Sequence, residues 1–404
     1  MTMGVGGASP QQALATLANM TDGVAAISDD EFTQRIQYAQ RLMTQYGLDA
    51  IYLNAGTNLY YFTGTSWFAS ERMVGAIIPA VGEVQYIAPA FELDTLQGYM
   101  VIKGRVNTWH EDESPFQLFA DVLVHMGINQ AKIGIDESTA FFISDGMAQA
   151  APQQQFVSAT SVTAGCRMIK SVAEIALMQR AKDMTLEVHK ATASILREGI
   201  TTAEVEDFIN QAHYAVGAAK GSYFCIVLFG EDTAYPHGVK SPKALALNDT
   251  VLIDTGCQLQ GYNSDITRTY VFGEANDRQR QLWQLEQDAQ IAAFDAAQIG
   301  TSCSDVDAAA RTVLEAAGFG PDYKLPGLPH RTGHGIGLDI HEWPYLVRND
   351  ITPLAVGMCF SNEPMLCVPG EFGIRHEDHF YMTAQGPKWF TAPAKSIDDP
   401  FYLG

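Results

Sequence analysis

Apolar residues along this chain fall into two rhythms: a three-to-four-residue spacing that marks amphipathic helices, and short dense runs that mark strands. Residues 1–27, rich in Gly, Ala and small polar residues, read as a loose N-terminal tail or one short helix. Ser28-Asp29-Asp30-Glu31 is a capping-box sequence, and the periodicity after it predicts a helix ending at Gly47. Ala50 to Leu53 and Leu59 to Phe62 read as short strands; Val74 to Ile78 and Val84 to Ile87, separated by Pro79 to Glu83, read as a hairpin. A helix near Phe116 to Met126 and a strand at Lys132 to Ile135 complete an α/β domain over residues 28–164. It holds no recognisable chemistry, so its expected role is to shape or cover a neighbouring site.

Residues 165–404 read as a second domain with an internal repeat. Ser171-Val172-Ala173-Glu174 caps a long helix reaching about Arg197, and Gly199-Ile200-Thr201 opens a second helix that stops near Gly217. A long helix from about Asp277, then Gly300-Thr301-Ser302 and a helix ending at Gly318, repeats the pattern. Gly199, Thr201, Val205 and Gly217 match Gly300, Ser302, Val306 and Gly318 at one constant offset. Each half leads into β-rich sequence, so the fold class is α+β, built from two helix-helix-sheet halves.

Each half also carries one pair of carboxylates. Asp254 ends the run Thr250 to Asp254 and Asp265 lies in the return run Tyr262 to Tyr270; a turn between Leu259 and Gln260 makes them direct cross-strand neighbours. Glu363 and Glu377 lie symmetrically about Gly370, which follows Pro369 in a turn signal. Four carboxylates gathered this way repel one another unless something positive sits among them. His334, in the glycine-rich run Thr332 to Gly337, is the fifth member, and oxygen-rich ligation with one imidazole suits a divalent metal pair.

Composition narrows the setting. The formal charge of −21 and pI near 4.7 argue against nucleic acid and anionic membrane partners. No apolar run is long enough to span a membrane, and the N-terminus lacks the pattern of a secretory signal, so a cytoplasmic protein is expected. The six cysteines show no metal or disulfide spacing and read as reduced thiols.

Asp254-Thr255-Gly256, Ser264 to Thr269, Thr332 to Gly337, Asn362-Glu363-Pro364 and Gly373 to Asp378 together resemble the pita-bread metallopeptidases, which include methionine aminopeptidases, aminopeptidase P and prolidases. Tyr345-Leu346-Val347, Pro353-Leu354, Gly357-Met358 and Phe372 to Arg375 look most like bacterial Xaa-Pro dipeptidases, as does a creatinase-like N-terminal domain. The resemblance implies a homodimer, with the N-terminal domain of one subunit limiting the active site of the other. It implies that Asp254 chelates one ion, that His334 and Glu363 hold the second, and that Asp265 and Glu377 bridge both. Mn²⁺ is the first choice, with Co²⁺ or Zn²⁺ as alternatives. Such a pair holds a shared water and lowers its pKa toward about 7, giving hydroxide to attack the carbonyl before proline. Glu363 is expected to move the proton. His237 and His341 are expected to donate hydrogen bonds to the oxyanion, and His330 and Arg375 to line the proline side, with Arg375 facing a free carboxylate. His376 is expected to be structural.

The chain departs from the family where relatives read Glu-Pro-Gly-x-Tyr: Cys367 stands in place of the tyrosine. A distal arginine near residue 350 is also missing, Asp350 standing at that position with Arg348 close by. The leading expectation is hydrolysis of Xaa-Pro dipeptides. Alternatives are an Xaa-Pro aminopeptidase acting on longer peptides, a metal-dependent lyase or hydrolase of a small metabolite, and a metal-free relative. Gly256, where such a lyase carries an extra acidic ligand, counts against the lyase.

Overall fold

The structure is a computed structural model that describes residues 2–403, and it divides into two compact units. Ile27–Arg167 form one; the described residues up to Ala26, with those from Met168 onward, form the other. The N-terminal segment is therefore part of the second unit. Its helix Pro10–Leu14 is capped by Ser9, and backbone bonds from Thr2 to Gly273 and from Gly6 to Ala193 fasten it there.

In the first unit, Ser28 caps the helix Asp29–Tyr46 and Gly47 ends it in the left-handed conformation. Six strands lie in the order Arg105–Trp109, Gln85–Pro89, Gly75–Pro79, Ala50–Asn54, Lys132–Ile135 and Gln155–Ser158. The middle three pair antiparallel and the outer pairs are parallel. One expected strand is absent: Leu59 to Phe62 belongs to the helix Thr57–Thr63. The aromatic run suggests a strand, but burial of Asn58, Leu59, Tyr61 and Phe62 follows helical spacing, and Gly64 in the left-handed region ends the turn.

In the second unit the repeat is physical. Helices Thr202–Ala215 and Cys303–Ala316 are each 14 residues long, with Thr201 and Ser302 as their N-caps and Val205 and Val306 fully buried at matching positions. Each follows a longer helix, Val172–Ser194 or Asp277–Ala296. The same two backbone bonds recur: Gly199 N–H to Leu245 O with Leu245 N–H to Ile200 O, and Gly300 N–H to Leu354 O with Leu354 N–H to Thr301 O. The caps differ in one respect: Thr201 forms a reciprocal capping box with Glu204, whereas Ser302 only accepts from Asp305 N–H.

The first half's sheet runs Ile266–Val271, Thr250–Leu259, Ser222–Phe229, all antiparallel. The second half's sheet runs Glu342–Leu346, Gly333–Gly335, Cys359–Asn362, Asp378–Thr383, Gly386–Trp389, with a separate hairpin of Met365–Val368 and Phe372–Arg375. Helices and sheets of this half close over one apolar core containing Trp283, Leu314, Phe360 and Phe380. All six cysteines are free, and Cys367 lies fully buried in that core.

A buried ion pair stitches the halves together. The Arg268 guanidinium binds both Asp378 carboxylate oxygens, at 2.7 and 3.2 Å, and also donates to the Glu377 and Thr267 carbonyls. Thr391 and Gln290 donate to the same carboxylate. Removing one partner of such a pair strands the other charge in a low dielectric. Arg268→Met is expected to lower unfolding free energy by about 3–5 kcal/mol in a denaturant titration, and an unchanged midpoint would refute the stitch.

Candidate metal centre

Asp254 sits mid-strand in Thr250–Leu259, and Asp265 immediately precedes the strand Ile266–Val271. The register differs from the expected one: Asp254 pairs with Thr267, and the turn is made by Gln260 and Gly261, both with positive φ. Such a two-residue turn is favoured because its twist matches that of the strands. The shift is by two residues, so Asp254 and Asp265 are diagonal neighbours that still share a face. The second hairpin has the expected register. Met365 pairs with Arg375 on one side and Asn362 with Asp378 on the other, so Glu363 and Glu377 fall opposite each other between the two ladders.

The two hairpins meet at an isolated bridge between Thr267 and Glu377, where Glu377 N–H donates to Thr267 O at 3.1 Å. His334 enters from the strand Gly333–Gly335, its N–H donating to Ser361 Oγ at 2.9 Å. A Cβ on Gly333 would lie 2.1 Å from Ser361 O, so only glycine lets the strands close this tightly around His334. Similarly, a Cβ on Gly256 would lie 1.9 Å from Ser264 O, which excludes any side chain, acidic or not, beside Asp265.

These elements bring the five residues together. Ligand atoms of Asp265, His334 and Glu377 lie within 4.8 Å of one another. His334 Nε2 is 3.1 Å from Glu363 Oε1 and 3.7 Å from Asp265 Oδ2. Asp254 lies close enough for its charge to act on both Asp265 and Glu377. His334 Nδ1 faces Gly335 O at 3.0 Å, so that bond holds the Nδ1 proton and leaves Nε2 with a free lone pair for a metal.

The electrostatics are those of a site built for cations. Burial first, then the charges of Glu377 and Asp254, pushes Asp265 well above the usual carboxylate range. Burial and the charges of Glu363 and Asp254 do the same to Glu377, and burial raises Asp254 against the opposing pull of Arg375. Glu363 alone goes down in the metal-free site: burial would raise it, but the hydrogen bond and charge of His334 in its protonated form, before a metal takes Nε2, outweigh that. Asp254 Oδ1 and Asp265 Oδ1 are buried and have no hydrogen-bond partner among the described residues. Oxygens left this way are unstable without a cation, so the donor set fits divalent metal.

Around the cluster is a layer the sequence did not reveal. Thr267 Oγ1 donates to Glu377 Oε2 at 2.8 Å and accepts from Arg375 Nε at 3.1 Å, and the His379 imidazole lies 3.2 Å from Glu377 Oε1. Arg375 Nη2 binds Asp254 Oδ2 at 2.5 Å, so this guanidinium, expected to face substrate, is held by a ligand carboxylate. Asp307 accepts from Thr332 N–H and Oγ1 and pairs with Arg311, which in turn donates to His330 O. His376, as expected, points away, against Trp283 and Glu286.

A cavity of about 570 Å³ opens beside the cluster, lined by His237, His330, His341, Glu363 and Arg375 together with Tyr323 and Arg331. The His341 ring stands edge-on to His334, centroids 4.3 Å apart, and burial with the His334 charge lowers its pKa to about 4. His330 Nδ1 lies 2.7 Å from Arg331 O, leaving Nε2 without a protein partner. Arg348 pairs with Asp322, and Asp350 accepts from Tyr345 and Thr352 N–H.

Comparison with known proteins agrees with this geometry. Residues 176–384 match the model of metallopeptidase family M24, and residues 35–169 match the creatinase/prolidase N-terminal domain. The chain is 29% identical over 366 residues to an Xaa-Pro dipeptidase of Pyrococcus furiosus, covering 90% of this chain and 99% of that one. It is 31% identical to the putative dipeptidase YkvY of Bacillus subtilis, with 90% and 99% covered. The crystal structure of dipeptidase PepE from Mycobacterium ulcerans superposes with a TM-score of 0.84 at 33% identity, covering 91% of this chain and 97% of that one. Two repeated halves that close on a cation-demanding cluster, following a creatinase-like domain in the sequence, make this chain a pita-bread metal-dependent peptidase of family M24.

Proposed function

We propose that this peptidase is an Xaa-Pro dipeptidase that works as a homodimer with two divalent cations, Mn²⁺ first among them. The observation that carries the reading is that Asp265, His334 and Glu377 cluster within ligand distance, with Glu363 against His334 and lining a cavity shared with His237, His330 and His341. The Xaa-Pro dipeptidase and dipeptidase relatives support the substrate class. Asp254, Asp265, His334, Glu363 and Glu377 would hold the cations, which supply, when bound, a water acidified to near neutral pH. Glu363, the one carboxylate of the four that lines the cavity, accepts the proton of the attacking water and returns it to the proline nitrogen, which needs it in order to leave. In this reading His237 and His341, which line the cavity, would donate to the oxygen of the scissile carbonyl, and His330 would line the proline side. Arg375 and Thr267 keep Asp254 and Glu377 oriented.

Two measurements test this. Asp265 and Glu377 have native pKa values raised above their unfolded ones, so the metal-free fold retains protons that the unfolded chain has released. That contribution is full below the ordinary carboxylate pKa of about 4 and is lost as pH rises. Chelated protein is therefore expected to melt at lower temperature as pH goes from about 5 to 8. Mn²⁺ at a hundred times its Kd should restore about 2.7 kcal/mol per site, with a larger gain in Tm at pH 8 than at pH 6. A Tm indifferent to Mn²⁺ would count against the metal reading. In an assay on Ala-Pro, Ala-Ala and Ala-Pro-Ala, Ala-Pro should be the substrate of choice in Mn²⁺, and Glu363→Gln should lower kcat by about 10²–10⁴-fold. If Ala-Pro survives with metal bound, the dipeptidase reading fails, and cleavage of Ala-Pro-Ala instead would make the protein an aminopeptidase.

A further inference from the structure

Beyond the scissile bond, a dipeptide differs from a longer peptide in one chemical respect: its proline ends in a free carboxylate. Selectivity for dipeptides therefore needs a cation on that side of the cavity, and a guanidinium suits it because its fork matches a carboxylate.

Two guanidinium groups line the cavity, those of Arg375 and Arg331. Arg375 is 3% exposed and fully engaged, by Asp254 through Nη2, by Thr267 through Nε and by the Pro236 carbonyl through Nη1 at 3.4 Å. A substrate carboxylate would have to compete with a metal-ligand carboxylate for it. The neighbouring arginines are also paired, Arg311 with Asp307 and Arg348 with Asp322. Arg331 differs: it is half-buried and has no carboxylate partner among the described residues.

Arg331 is also held ready. Its guanidinium carbon lies 4.4 Å from the Tyr345 ring centroid, a stacking contact that limits its rotamers without using its N–H donors. The backbone beneath it is pinned on both sides. Arg311 donates to His330 O, His330 Nδ1 lies 2.7 Å from Arg331 O, and Thr332 N–H donates to Asp307 at 3.1 Å. A cation on a fixed base, stacked on one face and unpaired on its edge, is preorganised for an anion. Next to it in sequence is His330, which lines the same cavity.

We infer that Arg331 is the specificity-determining residue that receives the C-terminal carboxylate of the dipeptide, the role the sequence alone had suggested for Arg375. The inference rests on the dipeptidase reading above. It also explains how the chain manages without an arginine at position 350: the charge is supplied from the loop before His334.

The test compares wild type, Arg331→Met and Arg331→Lys on Ala-Pro and on Ala-prolinamide, which lacks the carboxylate, with Mn²⁺ present. Wild type should favour Ala-Pro through KM. Arg331→Met should raise KM for Ala-Pro by about 10- to 100-fold, the range for one charge-assisted contact, leave kcat nearly unchanged, and leave the amide unaffected. Arg331→Lys should keep part of the preference. Calorimetric titration with L-proline and L-prolinamide gives a second readout independent of turnover: proline affinity should fall by the same factor in Arg331→Met, and prolinamide affinity should not. A preference for Ala-Pro that survives Arg331→Met, an equal loss on the amide, or no difference in proline binding between the proteins overturns the inference. If wild type cleaves no peptide, the dipeptidase reading fails by itself, and the proline titration still decides for or against Arg331.

Discussion

Like charges buried at close range are the constraint from which the rest of this structure follows. Asp254, Asp265, Glu363 and Glu377 are withdrawn from water and set within reach of one another's fields. Three of them respond by holding protons more tightly, and two of their oxygens have no hydrogen-bond partner among the described residues. Folding does not gather carboxylates in this way for stability, since each would be better solvated at the surface. What surrounds them is accordingly rigid: the Arg268–Asp378 pair behind, Thr267 and His379 on Glu377, and Arg375 on Asp254. Thr267, His379 and Arg375 fix carboxylate oxygens that repulsion would otherwise move, and Arg268 fixes the Glu377 backbone.

The repeat explains how one chain meets this constraint. Each half supplies one hairpin with one pair of carboxylates, and a helix that starts from a hydroxyl N-cap and the same two loop bonds in both copies. Backbone contact between Thr267 and Glu377 then joins the hairpins at the centre. His334 comes only from the second half, on a strand squeezed so closely against Ser361 that glycine is required beside it. The symmetry is thus broken where an imidazole nitrogen is needed in an otherwise oxygen-rich set.

Much of this was legible in the chain itself. Pro369-Gly370 set the register of the second hairpin correctly, because a turn signal with a single reading fixes everything beyond it. In the first hairpin, Gly261 was the signal that places the turn one residue later; the resulting shift of two residues spared the site because side chains alternate with period two. Leu59 to Phe62 misled because aromatic composition favours a strand while its two flanking glycines bound a short helix. The supporting residues were not legible for a different reason. Thr267 and Asp378 act on partners 110 positions away and Asp307 on one 25 away, and nothing in their local sequence distinguishes them from other polar residues in strands and helices. Arg375 shows the same limit from the other side: its neighbourhood in sequence suggests a substrate contact, and only the fold shows Asp254 against it.

The most direct test of the central claim is the number of divalent cations bound per chain, measured by elemental analysis after equilibration of the purified protein with Mn²⁺. Two ions per wild-type chain, falling when Asp265→Asn removes a carboxylate oxygen from the cluster, is the result this account requires. Wild-type protein that binds no cation, or an Asp265→Asn variant that binds as many as wild type, would contradict it.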